Sequence, residues 1–171
     1  MILRCLILLF TALSLAACGG PAEPVWAPDA AVKQASYAHA GPAKVTLFTV
    51  VSTRNGSGGH SGLMINGAER VMFDPAGTFK VPFVPERNDV LFGMTERALA
   101  AYVDYHARPE WEVRVQELDV SPSQAAALLA AVAAAAAAVA AATTGSGVGG
   151  GGVTCFLVAA FHAKPAIKTK A

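Results

Sequence analysis

The chain has 171 residues, of which 54% are hydrophobic, and a formal net charge of +1 at neutral pH. This length predicts one small domain with a modest core. The near-neutral charge and the absence of lysine or arginine clusters from the sequence argue against nucleic acid as a partner.

Residues 1–17 have the pattern of a bacterial signal peptide, with a short basic start and an apolar run too short to span a membrane. The motif Leu15-Ala16-Ala17-Cys18-Gly19-Gly20 resembles the lipobox of bacterial lipoproteins. That resemblance implies cleavage before Cys18 and attachment of fatty-acyl chains, such as palmitate, to this cysteine. Gly19 favours the outer membrane, facing the periplasm, if the host is Gram-negative. The alternative is an ordinary secretory signal cleaved at an Ala-x-Ala-like site.

The mature chain then divides into an anchor and tether, residues 18–40, and a domain over residues 41–171. Cys5 leaves with the signal peptide and Cys18 is expected to be acylated, so Cys155 is the one free thiol of the mature chain. No internal disulfide is therefore expected. A lone thiol in an oxidising envelope is a candidate nucleophile.

A hairpin is predicted in the first half of this domain. A strand over residues 44–51 and a glycine-rich loop bring His60 to the start of the next strand. The flanks of Asn66-Gly67 alternate in hydrophobicity, and their apolar residues share one face if odd positions oppose odd positions. We therefore expect a three-residue loop over residues 66–68. In that register His60 lies directly opposite Asp74, at about 5 Å between Cβ atoms.

Helix and strand signals alternate in the second half. Thr95 is the predicted cap of a helix that ends near His106, and a strand follows over residues 111–120. Ser121-Pro122-Ser123-Gln124 is a capping box with proline at the first helical position, which predicts the start of another helix.

Residues 125–152 are a low-complexity segment, nearly all alanine to residue 142 and rich in glycine and serine after it. The alanines favour a helix that has little to bury, and a membrane span is the alternative. Thr154 is expected to cap a short helix over residues 155–163. The basic tail, residues 164–171, is expected to be frayed.

Three residues have the types needed for nucleophilic catalysis. Cys155 lies in the first turn of a predicted helix, where the backbone amides lower the pKa of a thiol. His60 is the candidate base and Asp74 the group that orients its imidazole. Each residue also has a structural alternative: a buried apolar cysteine, a core or surface histidine, and a turn-forming aspartate. No metal-ligand spacing and no phosphate-binding loop is present in the sequence, so neither a metal nor a cofactor is expected.

The segments His60-Ser61-Gly62-Leu63-Met64-Ile65 and Val71-Met72-Phe73-Asp74 resemble the histidine hairpin of NlpC-type papain-like cysteine hydrolases. The histidine precedes the cysteine here, an order similar to that of the circularly permuted branch of the superfamily. The resemblance implies an α+β fold, a small antiparallel β-sheet flanked by helices, with Cys155 as nucleophile, His60 as base and Asp74 as third member.

The wider stretch over residues 26–121 resembles a group of uncharacterised bacterial envelope lipoproteins. The cysteine half departs from the papain-like pattern, because the alanine and glycine tracts differ from the family helix. The chain also has few residues after Cys155, so the C-terminal part is expected to be incomplete.

The leading functional expectation is a lipid-anchored cell-envelope thiol hydrolase, an amidase or peptidase acting through an acyl-enzyme, with peptidoglycan as a candidate substrate. One alternative is an acyltransferase or thioesterase acting on lipids. Another is a non-catalytic lipoprotein that binds envelope components. The expected partner is the membrane, through the lipid anchor, and the oligomeric state is left open.

Overall fold

The computed structural model describes residues 25–144 and 168–170. Its helices are α1 (Asp29–Ala35), α2 (Glu96–His106) and α3 (Pro122–Thr144). Its strands are β1 (Lys44–Ser52), β2 (Gly58–Asn66), β3 (Arg70–Phe73), β4 (Glu86–Arg87), β5 (Val90–Leu91), β6 (Trp111–Asp119) and β7 (Lys168–Lys170). These strands form one antiparallel sheet in the order β4-β5-β3-β2-β1-β6-β7. The α+β class predicted from the sequence is confirmed.

Each face of the sheet packs against its own helix, because side chains alternate between the two faces of a strand. The buried cluster between the sheet and α3 consists of Val45, Leu63, Ile65, Val71, Phe73, Val90, Ala125, Val132 and Ala136. The buried cluster between the sheet and α2 consists of Phe48, Met64, Met72, Phe79, Val84, Leu91, Met94, Ala98 and Tyr102. His60, Gly62 and Met64 therefore lie on the α2 face, whereas a bulge between His60 and Gly58 interrupts the alternation at the start of β2.

Several element boundaries predicted from the sequence are confirmed. The Thr95 side chain accepts a hydrogen bond from the Ala98 amide at 3.2 Å and caps α2. The Ser121 hydroxyl accepts from the Gln124 amide at 3.2 Å, and the Gln124 side chain accepts from the Ser121 amide at 2.8 Å. Both halves of the predicted capping box are thus formed at the start of α3.

The alanine-rich helix buries more than its composition suggested. Ala125, Val132 and Ala136 are at most 6% exposed and belong to the cluster on the first face of the sheet. Their spacing of seven and four residues puts them on one side of the helix. The expectation that this helix has little to bury was therefore wrong. Across residues 25–144 and 168–170, no helix is both long and apolar enough to cross a membrane.

The hairpin keeps the predicted parity but is shifted by two residues in register. Leu63 pairs with Phe73 and Ile65 with Val71, so the three-residue loop comprises residues 67–69. The predicted loop, residues 66–68, was wrong because Asn66 belongs to β2. Its side-chain nitrogen donates to the Pro42 carbonyl at 2.6 Å, which holds this residue in the strand.

Residues preceding β1 are bonded to the rest of the domain. The Ala27 amide donates to the Glu86 carbonyl at 2.8 Å, and the Arg70 amide donates to the Tyr37 carbonyl at 2.7 Å. Part of the segment predicted as an anchor and tether thus covers the edge of the sheet, and α1 lies within it. Lys168–Lys170 pairs with β6 as a strand, where a frayed tail was predicted.

Candidate functional site

His60 and Asp74 contact each other on the α2 face of the sheet. The distance between His60 Nε2 and Asp74 Oδ1 is 2.5 Å. They are not directly opposite, as the predicted register required. Continuing the observed pairing beyond Leu63 and Phe73 puts Asp74 opposite Gly62, so His60 reaches the carboxylate along a diagonal. Diagonal neighbours in a sheet remain within reach when one side chain is long.

The Asp74 carboxylate is enclosed at the end of β3. The residue is 1% exposed, and the Tyr102 hydroxyl of α2 donates to the same Oδ1 at 2.7 Å. A Cβ at Gly62 would lie 2.3 Å from that hydroxyl, and one at Gly77 would lie 1.8 Å from Asp74 Oδ2. The two glycines therefore leave the space in which the carboxylate and its tyrosine partner meet.

A tight turn fixes the Asp74 backbone. The Gly77 amide donates to the Asp74 carbonyl at 3.0 Å, and Ala76 adopts a φ of 56° between them. A positive φ is uncommon outside glycine, asparagine and aspartate. Asp74 thus begins a turn, as its structural alternative in the sequence analysis predicted, and this turn also positions the carboxylate.

The hydrogen bond to Asp74 raises the pKa of His60 above its usual value of 6.5, more strongly than burial lowers it. The pKa of Tyr102 is also raised, first by burial and then by the negative charge of Asp74. Tyr102 thus remains a protonated donor. Because Asp74 accepts from His60 Nε2, the neutral imidazole is held in the tautomer whose Nδ1 bears the lone pair.

His106 supplies a second imidazole at this site. It was not among the site residues predicted from the sequence. Its ring stacks on that of His60 with centroids 5.4 Å apart and an interplanar angle of 8°. Its Nδ1 donates to the Tyr102 carbonyl at 2.8 Å, and burial lowers its pKa. The spacing of Tyr102 and His106 by four residues, about one helical turn, was the available signal, because it puts both side chains on one face of α2.

The His60 and His106 side chains line a cleft of about 310 Å³. Its lining residues are Val50, Gly59, His60, Ala76, Gly77, Thr78, Tyr105, His106, Arg108 and Trp111. The Trp111 ring covers Gly59, where a Cβ would lie 2.5 Å from it. The His60 side chain is 20% exposed, whereas that of Asp74 is 2% exposed. The imidazole is therefore accessible from the cleft, and it shields the carboxylate from solvent.

The structure brings together two of the predicted catalytic residues, His60 and Asp74. The predicted nucleophile Cys155 and the predicted lipid-attachment residue Cys18 lie outside the described residues. Within residues 25–144 and 168–170, no group of three or more histidine, cysteine or carboxylate side chains is arranged to hold a metal ion.

Comparisons of this chain with protein-family models, with curated proteins and with solved structures found no match.

Proposed function

We propose that the protein is a lipid-anchored envelope hydrolase that cleaves amide or ester bonds with a cysteine nucleophile. In this proposal His60 is the general base, Asp74 orients it, and Cys155 is the nucleophile. The observation that carries the proposal is the 2.5 Å contact of a fully buried carboxylate with an imidazole that lines an open cleft. The resemblance of this hairpin to permuted NlpC-type enzymes supports the same roles and a papain-like fold.

The proposed chemistry begins at His60 Nδ1. This nitrogen takes the proton of the Cys155 thiol, and the sulfur attacks the carbonyl carbon of the substrate. The imidazolium then gives its proton to the leaving nitrogen or oxygen as the carbon–heteroatom bond breaks. A water molecule, deprotonated by the same nitrogen, releases the acyl group and restores the thiol. Asp74 stabilises the imidazolium in both halves without taking up a proton.

The raised pKa of His60 suits this cycle. The Asp74 carboxylate favours the charged imidazole, so His60 takes up the thiol proton more readily than an unperturbed histidine would. Tyr102 and the two glycines around Asp74 hold the carboxylate in place, so the imidazole does not have to be reoriented during turnover.

Alkylation of Cys155 by iodoacetamide at neutral pH tests this proposal. Labelling is followed at the peptide that contains Cys155 by mass spectrometry, which separates it from any labelling elsewhere. We expect His60→Ala to lower the labelling rate at least tenfold, whereas His39→Ala, a histidine away from the cleft, leaves it unchanged. Equal labelling of all three proteins would overturn the proposal.

The substrate class is tested separately, with purified peptidoglycan and with an acyl-lipid as substrates. We expect peptide fragments to be released from the cell wall, and their loss in both His60→Ala and Cys155→Ala. Transfer or hydrolysis of the acyl-lipid, with no cell-wall product, would instead assign the same cysteine chemistry to lipids.

Membrane attachment is proposed from the sequence around Cys18. Two or more acyl chains on the mature N-terminus hold a protein firmly at a bilayer, whereas one chain does so only marginally. Metabolic labelling with an alkyne analogue of palmitate is expected to mark the wild-type protein and not Cys18→Ala. Loss of labelling should be accompanied by release from the membrane fraction.

A further inference from the structure

The cleft at His60 contains an arginine that the proposed chemistry does not use. Arg108 follows the end of α2, is exposed and lines the cleft. Its Nε donates to the Tyr105 carbonyl at 3.0 Å, and its guanidinium carbon lies 4.8 Å from the centre of the Tyr105 ring. A free arginine side chain has many rotamers, and these two contacts hold the guanidinium at one place.

A series of ring contacts connects this guanidinium to the candidate base. The Tyr105 ring meets the His106 ring edge to face, with centroids 5.0 Å apart, and the His106 ring stacks on that of His60 at 5.4 Å. The Tyr105 hydroxyl lies 2.9 Å from Thr78 Oγ1, which fixes the ring against the loop after β3. The pKa of His106 is lowered by burial and, to a smaller extent, by the positive charges of His60 and Arg108. The guanidinium is therefore close enough to act on this site.

The charge of Arg108 is unpaired within residues 25–144 and 168–170. Its guanidinium forms no ion pair there, and Glu110, two residues later, pairs instead with Arg54 at 2.7 Å. No carboxylate belongs to the described residues that line the cleft, and that of Asp74 is only 2% exposed. Because Nε is bonded to a backbone carbonyl, the Nη1 and Nη2 groups remain to bind a ligand.

The other arginines of the described residues do not combine these properties. Arg97 stacks on the Phe83 ring at 4.3 Å and forms no ion pair with the described residues, but it lies outside the cleft lining. The remaining four are held in ion pairs: Arg54, Arg70, Arg87 and Arg114. Arg108 thus offers an unpaired and oriented positive charge beside the candidate base.

We propose that Arg108 binds a carboxylate of the substrate, so that the enzyme acts on peptides with a free carboxylate within a few residues of the scissile amide. This inference rests on the proposed function and names its substrate class. The two free nitrogens of a guanidinium donate parallel hydrogen bonds to the two oxygens of a carboxylate, a geometry that fixes orientation as well as charge. A peptide held in this way would extend along the Tyr105 and His106 rings toward His60.

The test compares two probes of equal size, N-acetylglycine, which carries a carboxylate, and N-acetylglycinamide, which is neutral. The ¹⁵N-labelled full chain is titrated with each and followed by NMR at the Arg108 Nε–H and the Trp111 indole N–H. We expect saturable shifts with the carboxylate and at least about fivefold weaker binding of the amide, because a hydrogen bond between two charged groups is about twice as strong as a neutral one. Equal binding of both probes, or no saturable shift with either, would overturn the proposal.

Variants of Arg108 separate substrate binding from a role in capping the end of α2. Arg108→Gln should abolish the preference for the carboxylate probe, whereas Arg108→Lys should keep part of it, because the charge remains and the paired donors are lost. Arg97→Gln, an exposed and ring-stacked arginine outside the cleft, is the matched control and should bind both probes as the wild type does.

Two results with these variants would contradict the assignment. A preference that persists in Arg108→Gln would leave this side chain with a capping role only. A preference lost in His60→Ala and kept in Arg108→Gln would assign the carboxylate to the imidazolium. Neither probe requires a reactive thiol, so failure of the carboxylate site and failure of Cys155 as a nucleophile are observed independently.

Discussion

His60 and Asp74 meet diagonally across β2 and β3, and the position between them on the sheet is occupied by Gly62. The missing side chain at Gly62 lets the Tyr102 hydroxyl reach Asp74 Oδ1 from above, at 2.7 Å. The carboxylate thus has two donors on one oxygen, one from the sheet and one from α2. The carboxylate that raises the pKa of His60 is therefore also held by α2, through Tyr102.

The two stacked histidines should titrate on opposite sides of the ordinary histidine pKa. His60 is expected above 6.5 because Asp74 favours its charged form, and His106 below 6.5 because burial disfavours it. NMR titration of the imidazole signals measures both. In Asp74→Asn the pKa of His60 should fall, and an unchanged value would contradict the assigned cause.

The same shifts have opposite effects on stability. The folded state binds the His60 proton more tightly than the unfolded chain, so this contribution is complete below pH 6.5 and is lost as the pH rises through the folded pKa. The folded state disfavours the His106 proton, so that contribution is present above pH 6.5 and is lost as the pH falls through its lowered pKa. In urea unfolding, the free energy of unfolding of His60→Gln should therefore lack the wild-type decline as the pH rises above 6.5. That of His106→Gln should lack the wild-type decline as the pH falls below 6.5.

Tyr102→Phe should destabilise the protein by about 1–3 kcal/mol, because Asp74 loses one of its two donors while remaining buried. Tyr105→Phe is the matched control, since its hydroxyl bonds Thr78 at an exposed position. That variant should cost less than about 0.5 kcal/mol. Urea unfolding measures both values, and equal losses would argue against a special role for the Tyr102 hydroxyl.

Gly62→Ala should lower stability by about 2 kcal/mol, since the added methyl group would lie 2.3 Å from the Tyr102 oxygen. The tyrosine cannot easily yield, because its ring packs against those of Phe48 and Phe79. Gly58→Ala on the same strand meets nothing within 4 Å and should be close to neutral. Thermal unfolding of the pair provides the comparison, and a neutral Gly62→Ala would refute the close approach.

The packing of α3 on the sheet is tested with two aspartates introduced two residues apart. Val132→Asp places a charge in the buried cluster and should cost about 3 kcal/mol or more. Ala134→Asp is exposed and should have little effect. Similar stabilities in urea unfolding would indicate that the helix does not pack as described.

Local sequence signals predicted most of the elements and half of the site. Alternation fixed which residues of β2 and β3 share a face, and the Thr95 and Ser121 caps located two helix starts. The exact register depends on the bond of Asn66 to the Pro42 carbonyl, which joins residues 24 apart and has no local signature. Likewise, Tyr102 and His106 enter the site only because α2 packs on that face, and periodicity could not distinguish them from core residues.

The decisive measurement is the pH dependence of Cys155 alkylation, because it reports whether Asp74 makes His60 a base for this thiol. Rates for the wild type and Asp74→Asn are measured between about pH 5 and 9, against an ordinary thiol pKa of about 8.5. We expect a fast wild-type reaction well below pH 8.5 and a rate at least tenfold lower near pH 6.5 in Asp74→Asn. Two identical profiles with a single midpoint near pH 8.5 would contradict it.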